Sequence, residues 1–219
     1  MKKEKQTYFY ISLCMLAAFV LWTTVICSVD VQAIGPQGSS VGLATINRFF
    51  HDLTGVHMSL YRVTDWLSMV PLGLMLGFAV LGLTQWIRRK NLRNVDHSIL
   101  VLGGFYVVVM VVYILFETFV VNYRPVLIEG VLEASYPSST TMLVMCVMPT
   151  AIMQLNTRIK NRSMKRYVQI FIITFSVFMV LGRLISGVHW LTDIIGGALL
   201  STGLVMMYSH IVSIVSNGH

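Results

Sequence analysis

Three ionisable side chains stand close together in an otherwise apolar part of the chain, within the segment Gly182–Asp193, which reads GRLISGVHWLTD. His189 and Asp193 are four residues apart, so on a helix they share a face. An aspartate can accept a hydrogen bond from one imidazole nitrogen and leave the other as a lone-pair nucleophile or base. A Ser-Gly pair between Arg183 and His189 lets the chain turn. The segment therefore predicts an oriented histidine beside a cation.

Two earlier segments carry side chains that suit a phosphate. In YPSSTT, Pro137 is followed by Ser138, Ser139 and Thr140, an order typical of a helix start with capping hydroxyls. The free N–H groups and positive dipole of a helix start favour an anion. Arg124, in NYRP, adds a planar fork of donors for phosphate oxygens. Together with Arg183 and His189, these groups predict a phosphoryl-transfer site with a histidine nucleophile. The plainer alternative is that each group anchors or packs a helix end.

The composition places these residues in a membrane protein. Of the 219 residues, 56% are apolar and 11% charged, and the mean hydropathy is +0.74, whereas soluble domains carry about 25% charged residues. Runs long enough for a bilayer predict an all-α bundle of six transmembrane helices, forming one domain over residues 1–219. The runs are Tyr8–Val29, Trp66–Ile87, Ile99–Val121, Thr140–Asn156, Tyr167–Gly182 and Ile194–Val215. The first could be a signal peptide, but its length favours a retained helix.

The basic residues predict the orientation of this bundle. Lys and Arg cluster before the first run, between the second and third, and between the fourth and fifth. If six helices alternate in direction, all three clusters fall on one side of the membrane. The positive-inside rule identifies that side as the cytoplasmic one. Both termini are then cytoplasmic, and the polar motifs lie at the outer face. The net charge of +7 is thereby explained without nucleic-acid binding.

The remaining polar features predict less. The loop between Asp30 and Asp65 contains apolar residues near helical spacing, which indicates a helix on the membrane surface or against the bundle. His51 and His57 lie there without a matched partner. The three cysteines lie inside apolar runs, and none has the spacing of a metal site, so we expect no metal ligands and no cofactor. Glu117 lies inside the third run, where a charge is costly and usually functional.

The order and spacing of the motifs resemble the type 2 phosphatidic acid phosphatase superfamily, which includes the vanadium haloperoxidases. Its motifs run Lys-x6-Arg-Pro, Pro-Ser-Gly-His and Ser-Arg-x5-His-x3-Asp. This chain has ETFVVNYRP (Glu117–Pro125), PSST (Pro137–Thr140) and GRLISGVHWLTD, so the third motif keeps its Arg-x5-His-x3-Asp spacing and the first two match in part. The catalytic motifs then lie within residues 117–193.

The resemblance implies a role for each matching residue. His189 would form a phosphohistidine and Asp193 would orient it. Arg124, Arg183, Ser138 and Ser139 would hold the phosphate, with Thr140 in the same group. Family members of this kind need no metal.

Three family positions are changed. The first-motif lysine is Glu117, the third-motif serine is Gly182, and the histidine that acts as general acid is Thr140. A threonine hydroxyl is too weak an acid for that role. Glu117 lies seven residues before Arg124, which is two turns along one helical face. If burial raises its pKa, Glu117 could be the missing acid. If Arg124 lowers that pKa, the two residues form a structural ion pair.

The sequence thus predicts a metal-independent phosphatase of the bacterial inner membrane, part of lipid metabolism at the cell envelope. Loss of a general acid lowers the reaction rate by about 10²–10⁴-fold, and the loss is greatest when the leaving group is an alkoxide. We therefore expect a polyprenyl pyrophosphate of the undecaprenyl type as substrate, since a lipid monophosphate leaves as a stable anion. The alternatives are a phosphatidate or phosphatidylglycerophosphate phosphatase, a lipid phosphotransferase, and an impaired protein that binds lipid phosphate without turnover.

Overall fold

The apolar runs become helices in the computed structural model, which describes residues 2–215, with side chains from Gln6 onward. The lysines at positions 2, 3 and 5, which contribute to the predicted orientation, lie outside the described side chains, and residues 216–219 lie outside the described range. The helices are α1 Lys2–Ser28, α2 Ala44–Thr54, α3 Met58–Leu67, α4 Met69–Arg89, α5 His97–Thr118, α6 Ser139–Arg158, α7 Arg162–Ile185 and α8 Leu191–Val215.

The all-helical class is confirmed, but the count of six spanning helices is not. Within residues 2–215, five segments are long and apolar enough to cross a membrane, as expected of a multi-pass membrane protein. They are Gln6–Ser28, Met58–Arg89, His97–Thr118, Arg162–Ile185 and Leu191–Val215. The fourth predicted run, Thr140–Asn156, forms α6, which is not among them.

The position of α6 explains why it is less apolar than its neighbours. It packs against α4, α5, α7 and α8, so most of its surface meets protein and not lipid. Its polar side chains find partners there, because Gln154 donates to the Tyr208 hydroxyl at 2.6 Å and Thr150 bonds with Tyr106 at 3.2 Å. A central helix with satisfied polar groups does not need the composition of a lipid-facing one.

The loop between α1 and α4 docks on the bundle through two helices, not the single one predicted. The break falls at Gly55, which has φ 67° and separates α2 from α3. Gly187 lies against it, since a Cβ on Gly187 would come within 1.9 Å of the Gly55 carbonyl oxygen. The His57 N–H also donates to the Ser186 carbonyl at 2.9 Å. These contacts fix α3 beside α7, next to the residues that the sequence marks as functional.

The opposite end of the bundle carries two of the three basic clusters. Asp96 lies between Arg89 and Arg158, with N–O distances of 3.0 and 3.5 Å. The α4–α5 turn and the α6–α7 turn are therefore at the same end. The α5–α6 loop, which carries Arg124, is at the other end. The last turn of α7, which carries Arg183, and the α7–α8 turn are at that end as well.

Candidate active site

The loop between α5 and α6 is a small hairpin that presents Arg124. The Arg124 N–H donates to the Glu133 carbonyl at 3.1 Å, and the Ser135 N–H donates to the Asn122 carbonyl at 2.9 Å. The turn of this hairpin is Glu129-Gly130, with φ of 51° and 81°, values that suit a two-residue hairpin turn.

The hairpin corrects the predicted relation of Glu117 to Arg124. Helix α5 ends at Thr118, so the two residues do not share a helical face. The carboxylate that pairs with Arg124 is Glu133, whose Oε2 lies 3.1 Å from Arg124 Nε. Glu117 is exposed and lines the cavity described below.

The helix start predicted at the serine and threonine run is confirmed. Ser138 is the N-cap of α6, and its Oγ accepts from the Thr141 N–H at 3.4 Å. The Ser138 N–H donates to the Asp193 carbonyl at 3.0 Å, which ties the start of α6 to the start of α8. Ser138 is fully buried, whereas Ser139 and Thr140 line the cavity. The first N–H groups of α6 have no partner within the helix.

His189 and Asp193 are buried neighbours without a direct hydrogen bond. Helix α8 begins at Leu191, so His189 precedes it, and His189 Nδ1 lies 3.7 Å from Asp193 Oδ2. Ser135 bridges them, with its Oγ 3.0 Å from His189 Nδ1 and 2.5 Å from Asp193 Oδ2. The Trp190 N–H also donates to Asp193 Oδ2 at 2.9 Å. The predicted pair is therefore present, but a serine connects its members.

The two arginines are fixed by carboxylates and by one aromatic ring. Arg183 Nη2 lies 2.8 Å from Asp65 Oδ1, and the Arg183 side chain is 1% exposed. The guanidinium carbons of Arg183 and Arg124 lie 4.8 and 5.7 Å from the centre of the Tyr61 ring. This is the range of a cation–π contact. Two positive groups are thus held over one ring, each with a carboxylate on one side.

Four buried nitrogen atoms of this cluster have no hydrogen-bond partner in the described structure. They are Arg124 Nη1, Arg183 Nε, Arg183 Nη1 and His189 Nε2. Buried polar groups are nearly always paired, so each exception needs an explanation. An anion with several acceptor oxygens would accept hydrogen bonds from the three guanidinium nitrogens. An electrophile would suit the lone pair of a neutral imidazole nitrogen.

A cavity of about 780 Å³ opens beside the arginines. Arg124 and Arg183 line it together with Thr140 and Glu117. Apolar residues of α4 and α5, including Leu72 and Met110, line it as well, as an acyl or prenyl chain would require. His189 is not among its lining residues, and its side chain is buried.

The surroundings of His189 favour its neutral form. Burial lowers the pKa of His189 to about 4; the Asp193 carboxylate opposes this shift, and the charges of Arg124 and Arg183 add to it. A neutral imidazole keeps the lone pair that a nucleophile needs.

Comparison with known proteins shows the family of the chain. A model of the PAP2 superfamily matches residues 96–215, which is more than half of the 219-residue chain. The chain belongs to the PAP2 superfamily. The matched range contains Arg124, the start of α6 and the Arg183–Asp193 segment. No curated protein matches the chain.

A solved structure has the same fold. The chain is similar to a transmembrane PAP2-type phosphatidylglycerolphosphate phosphatase from Bacillus subtilis, with a TM-score of 0.64 and 18% identity, over 96% of this chain and 100% of that one. At this identity the likeness concerns the fold.

One departure from the PAP2 motifs has a steric cause. A Cβ on Gly182 would lie 2.8 Å from Thr64 Cγ2, and Thr64 is fully buried. The motif serine would therefore collide with α3. Glycine lets α3 approach α7, and this approach brings Asp65 to Arg183 and Tyr61 under both guanidiniums.

We expect Gly182→Ser to lower the rate of phosphate release by about tenfold and to reduce Tm, because overpacking of a buried contact costs about 1–3 kcal/mol. The measurement is initial rate and thermal unfolding in detergent. The matched variant is Gly182→Ser combined with Thr64→Ser, which removes the colliding methyl and keeps the hydroxyl that bonds to Leu60. Recovery of both rate and Tm is expected in the pair. A single variant with unchanged rate and Tm would contradict the steric explanation.

Four residues of the site were not found from the sequence: Tyr61, Asp65, Glu133 and Ser135. Asp65 and Tyr61 are far from the motifs along the chain, and Glu133 and Ser135 have no regular spacing to them. For Asp65 and Glu133 the sequence offers one signal, that charged residues near membrane depth are usually functional. The sequence offers no such signal for Tyr61 or Ser135.

Proposed function

We propose that this protein is a membrane phosphatase in which His189 Nε2 takes the phosphoryl group of a lipid phosphate or pyrophosphate. The observation that carries the proposal is the set of unpartnered buried donors on Arg124 and Arg183 beside an unpartnered His189 Nε2. Membership of the PAP2 superfamily supports a phosphatase, and the apolar walls of the cavity support a lipid substrate.

In the first step the phosphate oxygens accept hydrogen bonds from Arg124 Nη1, Arg183 Nε and Arg183 Nη1. The N–H groups at the start of α6, at Ser139 and Thr140, add further donors. The His189 Nε2 lone pair attacks phosphorus, the P–N bond forms, and the bridging P–O bond breaks. The bond electrons leave with the lipid oxygen. The arginines favour this step because their fixed N–H donors stabilise the negative charge on the oxygens of the transferred group in the transition state.

In the second step the oxygen of a water molecule attacks phosphorus, the P–N bond breaks, and the group leaves as inorganic phosphate that carries both protons of the water. The imidazole recovers its lone pair. We propose that the arginines neutralise the phosphate charge and that no metal is required. Among the side chains described from Gln6 to residue 215, no group of three His, Cys, Asp or Glu is placed to hold a metal ion.

Thr140 favours a pyrophosphate as substrate. Thr140 lines the cavity and stands at the motif position to which the family resemblance assigns the acid. A threonine hydroxyl does not protonate a leaving alkoxide at neutral pH. A lipid monophosphate leaves without that proton. The runner-up substrate is phosphatidylglycerophosphate or another phosphate ester, because the structurally similar Bacillus subtilis protein is a phosphatidylglycerolphosphate phosphatase.

We further propose that the site faces the outside of the cell membrane and that both termini are cytoplasmic. The support is the position of the α4–α5 and α6–α7 basic clusters, which lie at the end of the bundle opposite the site. Basic short loops are typical of the cytoplasmic side.

The test compares phosphate release from an isoprenyl pyrophosphate and from phosphatidate, in detergent with EDTA. We expect the pyrophosphate to be hydrolysed about 10²-fold faster than phosphatidate. This factor is the lower bound of the rate that an ester loses without a general acid. Faster release from phosphatidate would overturn the substrate proposal. Loss of all activity in EDTA, restored by a divalent cation, would overturn metal independence.

The second candidate is a protein that binds lipid phosphate without turnover. The observation that favours it is that Thr140 replaces the acid while Glu117 is exposed and the carboxylate paired with Arg124 is that of Glu133. Saturable binding of either substrate with no phosphate release would establish this candidate in place of the phosphatase.

A further inference from the structure

Ser135 occupies the space between the proposed nucleophile and the aspartate that the family resemblance assigns to orient it. Its Oγ is 3.0 Å from His189 Nδ1 and 2.5 Å from Asp193 Oδ2, whereas the direct distance between these two atoms is 3.7 Å. The last distance is too long for a hydrogen bond. All three residues are buried, so no solvent competes for these contacts.

The chemistry of the three groups assigns the protons. An ionised carboxylate only accepts, and Asp193 Oδ2 already accepts the Trp190 N–H, so the single Ser135 hydroxyl proton goes to Asp193. Ser135 Oγ can then only accept from His189. Nδ1 must therefore carry the imidazole proton, which leaves the lone pair on Nε2.

Nε2 is the atom that needs the lone pair. It is buried and has no hydrogen-bond partner in the described structure, as expected of a nitrogen kept free for a substrate. The opposite tautomer would place the lone pair toward Ser135 and a proton toward the phosphate. That form could not attack phosphorus.

We propose that Ser135 is a positioning residue that fixes the reactive tautomer of His189 by relaying the hydrogen bond from Asp193. The inference rests on the proposed function of His189. The hairpin keeps Ser135 in place, because its N–H donates to the Asn122 carbonyl at 2.9 Å and Asn122 is itself buried. When His189 becomes phosphorylated and cationic, the same relay connects its Nδ1–H to the Asp193 charge.

The test is Ser135→Ala, with Ser201→Ala as the matched control. Ser201 is also a fully buried serine, and its hydroxyl bonds to the Met142 carbonyl at 3.3 Å in another part of the bundle. We expect Ser135→Ala to lower kcat by about 10²-fold with little change in KM, since loss of the correct tautomer costs triad hydrolases up to about 10⁴-fold. Ser201→Ala is expected to leave kcat unchanged.

A second readout does not depend on turnover. In protein with ¹⁵N-labelled histidine at neutral pH, the His189 signals are assigned by their absence in His189→Ala. We expect a protonated Nδ1 and an unprotonated Nε2 in the wild type, and a substantial Nε2–H population in Ser135→Ala. An unchanged tautomer in Ser135→Ala would overturn the inference, whatever the rate. Correct tautomers in a wild type that releases no phosphate would leave the relay standing and remove the proposed phosphatase function.

Discussion

His189→Ala is expected to reduce phosphate release from an isoprenyl pyrophosphate by at least about 10⁴-fold, because removal of a covalent nucleophile leaves only binding and electrostatic effects. The substitution empties a small volume at the α7–α8 turn and leaves the arginines and their carboxylates in place. The measurement is the initial rate of phosphate release in detergent with EDTA, with substrate binding measured in parallel. Binding is expected to persist.

The matched control for this variant is His57→Ala. His57 lies on the same side of the bundle, is exposed, and contacts the Thr54 carbonyl through its ring. It is expected to keep the wild-type rate. Label from a substrate with a radioactive terminal phosphate should appear on wild-type protein as an acid-labile adduct and should be absent in His189→Ala. A His189→Ala protein with more than a few per cent of wild-type activity would contradict the mechanism.

The pH profile of the wild type should report the same residue. Because burial holds the pKa of His189 at about 4, the imidazole is neutral above that pH and becomes protonated below it. We therefore expect the acid limb of kcat/KM near pH 4, well below the value of about 6.5 for a solvated histidine. An acid limb near 6.5 would indicate that the imidazole is solvated before the substrate binds.

The sequence predicts the site best where neighbours along the chain are neighbours in space. The segment from Arg183 to Asp193 spans one helix end, a short turn and one helix start, so local chemistry was sufficient to mark it. The N-cap at Ser138 is a local property of the same kind. Arg124 was marked by its residue type and its place in a motif, although its local structure was predicted incorrectly.

The sequence fails where tertiary packing supplies the partner. Asp65 reaches Arg183 because α3 packs on α7 over Gly182, and nothing near Asp65 in the chain indicates this. Glu133 reaches Arg124 across a hairpin that interrupts the expected helical face. The shared helical face expected of Glu117 and Arg124 from their spacing of seven is wrong, because α5 ends at Thr118.

Thr140→His tests why this chain departs from the PAP2 motif at the acid position. We expect it to accelerate hydrolysis of phosphatidate by about 10²-fold or more, and to change hydrolysis of the isoprenyl pyrophosphate by less than about threefold, because general acid catalysis helps the poorer leaving group most. Thr140 lines a cavity of about 780 Å³, so an imidazole has room at this position. The measurement is the ratio of the two initial rates in wild type and variant.

Two comparisons make this result specific. Thr140→Asn adds bulk and polarity without a titratable proton, so an equal acceleration in that variant would show that shape and not acidity is responsible. Glu117→Gln tests whether Glu117 donates the proton to the leaving group, since Glu117 lines the same cavity. If Glu117 is the acid, Glu117→Gln lowers phosphatidate hydrolysis, and the double variant with Thr140→His recovers it. If Glu117→Gln leaves both rates unchanged, no acid assists the leaving group from this side of the cavity, and the preference for a pyrophosphate follows from the leaving group alone.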